Sequence, residues 1–226
     1  MFERYAIYYT PAPKTALADF GAAWLGWDSA AGRDVSHPVI DGVDVEVVTE
    51  TPRKYGFHGT IKPPFRLSED QSAAALDRAL ARLCADAAPI ELTGLRLARL
   101  GRFLALVPMG DASALAALAA RTVQELDVFR APATDAELAK RRAARLSPEQ
   151  DAMLVRWGYP YVLDQFRFHL TLTGRLDRET ANTVKTALAT RLADLPLAPY
   201  RISGLTLLGE DAAGRFHQIT RHELTG

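Results

Sequence analysis

The sequence is short of three features that would place it in several large classes of protein. It has a single cysteine, Cys84, so no disulfide can form within the chain. Its 27 basic residues are balanced by 27 acidic ones, whereas a surface that follows nucleic acid or an anionic membrane needs a basic excess. Its apolar runs are far shorter than the ~20 residues that cross a bilayer. With no signal-like apolar core near the start, we expect a cytoplasmic protein that has no membrane partner.

What is present is an ordinary globular composition, with 226 residues of which 48% are hydrophobic and 24% charged. A chain of this length can bury its own core without disulfides or structural metals. Strand-like segments closed by turn signals alternate with segments of helical spacing, which predicts an α+β fold built on antiparallel hairpins. Within it, the alternating valines of residues 43–48 favour a short strand.

An internal repeat divides the chain. Residues 89–95 (PIELTGL) resemble residues 199–205 (PYRISGL), and an Arg-Phe pair follows each of these segments. Each is preceded by a segment of helical spacing and, before that, by a strand that contains a histidine. A strand–helix–strand–strand unit is therefore predicted twice, over about 56–108 and 166–223. Between the copies, residues 111–157 show helical spacing and helix-start signals, which predicts a helical insert.

Two tetrads occupy equivalent points of the repeat, His58-Gly59-Thr60-Ile61 and His169-Leu170-Thr171-Leu172. Residues i and i+2 of a strand point to the same face, so each tetrad presents an imidazole beside a hydroxyl. A single histidine in such a setting favours a packed imidazole. Two of them at matching positions favour a functional pair.

The chemistry of these side chains suits phosphoester cleavage. Near neutral pH, an imidazole accepts a proton and an imidazolium donates one. We expect one histidine to activate water or a hydroxyl, the other to protonate the leaving oxygen, and the threonines to hold phosphate oxygens. Catalytic zinc usually has three protein ligands, and no third ligand follows either histidine at metal spacing, so neither a metal nor another cofactor is predicted.

Strand parity also predicts neighbours for the tetrads. Lys62 should share the face of His58, and Arg167 the face of His169, where either cation would bind a second anionic group of the substrate. The alternative for each is a solvated charge at the end of a strand. Three aromatic residues could stack on a ring or sugar, with core packing as their alternative: Tyr5, Tyr55 and Tyr161.

A basic run on a predicted helix of the insert has two interpretations. It is either a solvated helix face or an arm that reaches over the site to a terminal phosphate. The run consists of Lys140, Arg141, Arg142 and Arg145.

The two His-x-Thr-x motifs resemble those of the 2H phosphoesterase superfamily. Longer strings are similar to the phosphonate-metabolism proteins of carbon–phosphorus lyase operons, and this resemblance covers nearly the whole chain. The strings are residues 4–9 (RYAIYY), 55–65 (YGFHGTIKPPF), 159–161 (YPY) and 166–174 (FRFHLTLTG). One departure is Gly59, where the superfamily usually has an apolar side chain, and we interpret it as close packing behind the sheet.

The resemblance implies one two-lobed domain over residues 1–226. Two antiparallel sheets would face each other across a central cleft, each contributing one tetrad, with helices outside. It also implies a metal-independent cyclic phosphodiesterase. The expected substrate is a small cyclic phosphodiester, in this family context a phosphorylated ribose cyclic phosphate from phosphonate breakdown.

Two alternatives involve RNA. The same concave face could bind RNA ends without turnover, or the same histidines could act as a 2′–5′ RNA ligase or as a cyclic phosphodiesterase on RNA. The zero net charge favours a small phosphorylated partner over a long nucleic acid and leaves short RNA ends as the alternative.

Overall fold

The computed structural model describes residues 2–226 and shows an α+β fold, as predicted from the sequence. The helices are α1 (Ala16–Leu25), α2 (Val45–Arg53), α3 (Ala73–Ala85), α4 (Ser113–Glu125), α5 (Asp135–Arg142), α6 (Pro148–Trp157) and α7 (Arg178–Leu192). The strands are β1 (Arg4–Tyr9), β2 (Trp27–Asp28), β3 (Arg33–Asp34), β4 (Gly59–Phe65), β5 (Ile90–Leu92), β6 (Gly94–Leu100), β7 (Phe103–Met109), β8 (Leu170–Thr171), β9 (Tyr200–Ile202), β10 (Gly204–Glu210) and β11 (Phe216–Glu223). In this range, no helix is both long enough and apolar enough to span a bilayer.

Seven strands form the main antiparallel sheet, in the order β11-β10-β1-β4-β8-β7-β6. Its four-stranded half ends at β4 and its three-stranded half begins at β8. A single pair, Gly59 with Leu170, joins the two halves. The two sheets expected from the sequence are therefore halves of one hydrogen-bonded sheet, and the two tetrads lie side by side where the halves meet.

Each half of the sheet combines strands from both copies of the repeat. In the four-stranded half, β4 lies with β1 and the hairpin β10–β11, whereas β8 lies beside the hairpin β7–β6. A separate two-stranded ladder pairs β5 with β9 through Glu91 and Arg201. The chain therefore crosses repeatedly between the halves, which fixes the two tetrads relative to each other.

The main core lies on one face of the sheet. Alternate residues of β1 enter it, including Tyr5 and Ile7, because successive side chains of a strand point to opposite faces. Helices cover this face with leucine and valine side chains at helical spacing, such as Leu76 and Leu80 of α3 and Val184 of α7. The opposite face of β1 carries Arg4 and Tyr8, which remain available to a cleft.

Residues 113–157 contain α4, α5 and α6, and two of these helices begin with a capping box. Thr134 and Glu137 cap α5, and Ser147 and Gln150 cap α6. Each box satisfies N–H groups that the first helical turn leaves without partners. The guanidinium of Arg142 then joins α5 to α6, with its Nε 2.6 Å from a carboxylate oxygen of Asp151.

The strand predicted over residues 43–48 is wrong, because Asp44 caps α2 and residues 45–48 form its first turn. The carboxylate of Asp44 accepts a hydrogen bond from the backbone N–H of Val47 at 3.1 Å, which caps the helix. Val45, Val48 and Pro52 are buried, at the three- and four-residue spacing of a helix face. The valines of residues 43–48 therefore fit both the two-residue period of a strand and the three- to four-residue spacing of a helix. The N-cap at Asp44 favours the helix.

Candidate active site

The two tetrads meet in one cleft of about 630 Å³. All four side chains predicted to be catalytic line it, with His58 and Thr60 at the start of β4 and His169 and Thr171 at β8. Cationic and aromatic side chains in its walls are Arg4, Tyr8, Tyr55, Phe103, Arg141, Tyr159 and Arg175. Two imidazoles and two hydroxyls therefore surround a space large enough for a small phosphorylated sugar.

Both imidazoles are held by the same backbone arrangement. The Nδ1 of His58 lies 2.9 Å from the carbonyl oxygen of Gly56, and the Nδ1 of His169 lies 2.7 Å from that of Arg167. A carbonyl only accepts hydrogen bonds, so each Nδ1 must donate. In the neutral ring the other nitrogen, Nε2, is then an unprotonated acceptor. The Nε2 of His58 lies 3.2 Å from the hydroxyl of Thr60.

A glycine turn places the first of these carbonyls. Gly56 has φ of +70°, in the left-handed region, and lies between α2 and β4. A Cβ at this position would lie 2.6 Å from the hydroxyl oxygen of Ser29. Glycine therefore allows the tight reversal that turns its carbonyl toward His58.

Gly59 occupies the joint between the two halves of the sheet. It is buried and pairs with Leu170, and a Cβ there would collide with the ring of Phe168. This is the close packing behind the sheet that was inferred from the missing side chain. The collision would separate the strands that carry the two tetrads, so glycine here allows the histidines to share one cleft.

Tyr8 covers one side of the His58 ring. The two rings are stacked, with centroids 3.8 Å apart and planes inclined by 20°. Burial lowers the pKa of His58 to about 4, and repulsion from His169 adds to this, while the hydrogen bond to Gly56 opposes it. His58 is therefore neutral near pH 7 and ready to accept a proton at Nε2.

We expect the imidazole of His58 to titrate near pH 4 in the free protein, and NMR of ring-labelled histidine will measure it. The unfolded chain binds this proton below about pH 6.5, whereas the folded one does so only below about 4. The free energy of unfolding should therefore rise with pH between these two values and keep its full contribution from this group above them. The His58→Ala variant identifies the resonance. A midpoint close to 6.5 would contradict the burial of this ring.

Lys62 was predicted to line the cleft, and this is wrong. The residue is 1% exposed, and its Nζ lies 3.1 Å from the carbonyl of Val123 and 3.3 Å from the carboxylate of Asp127. The cause is a bulge in β4, where Thr60 pairs with Tyr8 but Lys62 pairs with Ile7. Moving by one residue on β1, from Tyr8 to Ile7, corresponds to moving by two residues on β4. The two-residue alternation of β4 is therefore interrupted, and the side chain of Lys62 points to the core face.

The side chain of Arg167 is not among those that line the cleft, in contrast to the face that strand parity predicts for it. Its guanidinium is exposed and donates to the backbone carbonyls of Asp164 and Phe166, at 3.2 and 2.7 Å. Residues 166–169 precede β8 and are not in a strand, so two-residue alternation does not apply to them. What Arg167 contributes to the site is its own carbonyl, which holds His169.

The three predicted tyrosines have different positions. Tyr55 lines the cleft, with its ring centroid 5.8 Å from that of His58. Tyr5 is buried in the main core, because it lies on the opposite face of β1 from Tyr8. Tyr161 is 44% exposed outside the cleft, and it is Tyr159, in edge contact with Tyr161, that lines the wall.

Sequence reasoning missed several cations and aromatics of the cleft. Arg4 and Tyr8 share one face of β1, so two-residue alternation could have predicted both of them. Tyr5, the residue predicted from the sequence, lies on the other face. Arg141 belongs to the basic run for which a reach over the site was one alternative. Arg175 follows the second tetrad in a loop and carries no sequence signal. Within residues 2–226, no three His, Cys, Asp or Glu side chains cluster as a metal-binding group.

The fold and the cleft together define an α+β protein with a two-histidine site. Residues 60–217 match the family described as "Protein of unknown function (DUF1045)", and the chain belongs to this family.

Two curated relatives align with most of this chain. One, from Janthinobacterium sp. (strain Marseille), is 39% identical over 221 residues, which is 93% of this chain and 48% of that protein. The other, from Laribacter hongkongensis (strain HLHK9), is 36% identical over 220 residues, 96% of this chain and 51% of that protein. Both are named ribose 1,5-bisphosphate phosphokinase PhnN. The chain spans about half the length of these curated relatives.

Solved structures are similar over the whole chain at low identity. They include a protein described as a phosphoesterase, at 15% identity and a TM-score of 0.46, with 100% of both chains covered. Another is E. coli LigT in complex with 3′-AMP, at 16% identity and a TM-score of 0.46, with the same coverage.

Proposed function

We propose that this protein is a phosphoesterase that opens a small cyclic phosphodiester by general acid–base catalysis with His58 and His169. The observation that carries the proposal is the matched pair of imidazoles in one cleft. Each is anchored through Nδ1 to a backbone carbonyl, and each has a threonine two residues further on. This arrangement leaves an Nε2 atom of each ring for proton transfer.

The two histidines have different roles. The lowered pKa of His58 keeps this imidazole neutral near pH 7, so it acts as the general base. His169 acts as the general acid and carries the proton on Nε2. The reactive form of the enzyme therefore has His169 protonated and the Nε2 of His58 unprotonated.

The cyclic phosphodiester is then opened in a single displacement at phosphorus. His58 takes a proton from water as the water oxygen bonds to phosphorus. The bond from phosphorus to one ring oxygen breaks on the opposite side, and His169 gives its proton to that oxygen. The product is an acyclic phosphomonoester, and a proton returned from His58 to His169 through solvent restores the starting state.

The threonines bind the phosphoryl oxygens that do not react. The hydroxyl of Thr60 lies 3.2 Å from the Nε2 of His58, so a bound phosphate has to replace Nε2 as the hydrogen-bond acceptor of this hydroxyl. Both hydroxyls then donate to anionic oxygens, whose charge grows in the transition state.

The substrate we propose is a phosphorylated ribose cyclic phosphate. The names of the two relatives refer to a ribose bisphosphate, and opening the cyclic phosphate of a phosphorylated ribose gives a product of that class. The sequence of this chain contains no Gly-rich phosphate loop, so the phosphate-binding element typical of many kinases is not part of it.

Phosphorus NMR against a panel of cyclic phosphates tests the proposal. The panel holds ribose 1,2-cyclic phosphate with and without a 5-phosphate, nucleoside 2′,3′-cyclic phosphates and a short RNA ending in a cyclic phosphate. With excess chelator present, we expect the phosphorylated ribose cyclic phosphate to be opened fastest.

The double variant His58→Ala/His169→Ala is the control for contaminating activity. Failure to open any member of the panel would contradict the proposal. Loss of activity with chelator and its recovery with zinc or manganese would overturn the metal-free mechanism. Preference for the RNA would favour the alternative substrate class.

A further inference from the structure

A second cavity of about 530 Å³ adjoins the cleft. We call it the annex. The two spaces share four wall residues, Arg4, Tyr55, Pro64 and Arg141. The rest of the annex is built mainly from the insert and the segment that follows α6, so the annex extends the cleft away from the tetrads.

The walls of the annex carry far more positive than negative charge. Six cations line it, against the single carboxylate of Glu137, and they are Arg4, Lys54, Arg66, Arg130, Lys140 and Arg141. Three are already paired: Arg4 with Glu210, Arg66 with Glu137, and Arg130 with Asp127. Among residues 2–226, Lys54, Lys140 and Arg141 form no ion pair with a carboxylate.

Aromatic rings hold two of these unpaired cations at the opening between the cavities. The guanidinium of Arg141 lies 4.6 Å from the ring centroid of Tyr159, and the ammonium of Lys54 lies 4.9 Å from that of Tyr55. Both rings line the cleft. The cation–π contacts therefore place positive charge where the two spaces join.

The helix that carries Arg141 is fixed at both ends. The capping box of Thr134 and Glu137 closes its start, and the ion pair of Arg142 with Asp151 ties its end to α6. Arg141 is thus presented by a built element, which lowers the entropy lost when it binds an anion.

We propose that the annex binds a second phosphate group of the substrate, one that the sugar carries away from the reacting phosphorus. This inference rests on the proposed function and adds the means by which the substrate is selected. A phosphate dianion would meet three cations that have no carboxylate partner, with Arg141 reaching it from the shared wall. A compact group of this kind suits one terminal phosphate better than the extended backbone of RNA, which needs a longer basic track.

The test compares ribose 1,2-cyclic phosphate with and without a 5-phosphate. The measured quantity is the ratio of the two kcat/KM values. In Arg141→Ala this ratio should fall by about 10- to 10²-fold, the range expected for losing one hydrogen bond to a charged group. Lys140→Ala should lower it less, because an exposed ammonium is held less rigidly.

Arg145→Ala is the matched control. It removes the same charge from the same run, but Arg145 lines neither cavity although its neighbours Ala144 and Leu146 line the annex. The ratio should remain at the wild-type value. An equal fall in Arg145→Ala, or an unchanged ratio in Arg141→Ala, would overturn the proposal. A loss confined to the short RNA ending in a cyclic phosphate would overturn it in favour of a nucleotide chain.

A binding measurement separates this inference from the proposed function. Ribose 5-phosphate is titrated calorimetrically into the wild type and into Arg141→Ala, and its affinity should fall by a similar factor. If the wild type opens neither cyclic phosphate yet shows this dependence, the proposed function fails and the annex stands. If it opens both equally and the affinity does not depend on Arg141, the annex and the preference for a phosphorylated ribose fail, whereas the opening of a cyclic phosphodiester by the two histidines stands.

Discussion

Replacement of either His58 or His169 by alanine is expected to lower kcat/KM for a cyclic phosphodiester by at least ~10², since positioned acids and bases contribute ~10²–10⁴ each. In the proposed mechanism the two rings serve one displacement from opposite ends, so the double variant should lose far less than the product of the single losses. Kinetics on the substrate that the wild type opens fastest will measure all three variants.

Thr60→Ala and Thr171→Ala provide the comparison within the same cleft. Each removes one hydrogen bond to a charged group, worth ~1.5–3 kcal/mol, and so should cost less than a histidine. All four side chains line the cleft, and none of the four variants should lose the fold. One folded histidine variant with full activity beside an inactive one would show that the site does not work as a pair.

Lys62→Ala is expected to lower the free energy of unfolding by about 3 kcal/mol. The change removes the buried aliphatic part of the side chain and leaves a buried carbonyl without its hydrogen-bond donor. The carbonyl of Val123 loses its donor, while Asp127 keeps its ion pair with Arg130. Denaturant unfolding measures the change. KM should stay at the wild-type value in the folded protein, because Lys62 does not reach the cleft.

Two variants make this prediction specific. Lys62→Met fills the space of the stem and should lose less stability than Lys62→Ala. Arg167→Ala, at the second cation for which strand parity predicts a place in the cleft, should change stability by no more than about 0.5 kcal/mol because its side chain is exposed. A raised KM in Lys62→Ala with unchanged stability would place this lysine in the site after all.

The pH dependence of stability gives a further check on the environment of Lys62. Burial lowers its pKa to about 8, and the attraction of Asp127 only partly opposes this. The unfolded chain keeps this proton up to about pH 10.5, so it binds more protons than the folded protein between the two values. The wild-type free energy of unfolding should therefore gain from this group as pH rises from 8 to 10.5, and Lys62→Met should lack that gain.

Local patterns predicted the parts of the site that depend on short stretches of chain. The His-x-Thr spacing predicted that Thr60 lies beside His58, and the repeat predicted a second such motif at an equivalent point; one cleft contains all four side chains, although each histidine directly precedes its strand. The helix-start signals at Thr134 and Ser147 are the capping boxes of α5 and α6. Such patterns involve hydrogen bonds or side-chain directions within a few residues, so a sequence is enough to find them.

Parity failed where the backbone departs from a regular strand. The bulge in β4 turns Lys62 to the core, and its position depends on how β1 pairs with β4. Residues 166–169 are not part of a strand, so the two-residue alternation does not define a face for Arg167. The same limit applies to residues 43–48, whose valines satisfy both periods until the Asp44 cap selects a helix.

By itself, the sequence determined the α+β class, the twofold repeat, the two His-x-Thr tetrads and the absence of charge excess. Only the tertiary structure decided that the tetrads meet at the Gly59–Leu170 joint, that Tyr8 rather than Tyr5 lies on His58, and that Arg141 stands between two cavities. These features depend on strand pairing and helix packing between segments far apart in the chain. A contact between distant segments depends on both segments and on the register in which they pair, so the sequence of one segment alone does not predict it.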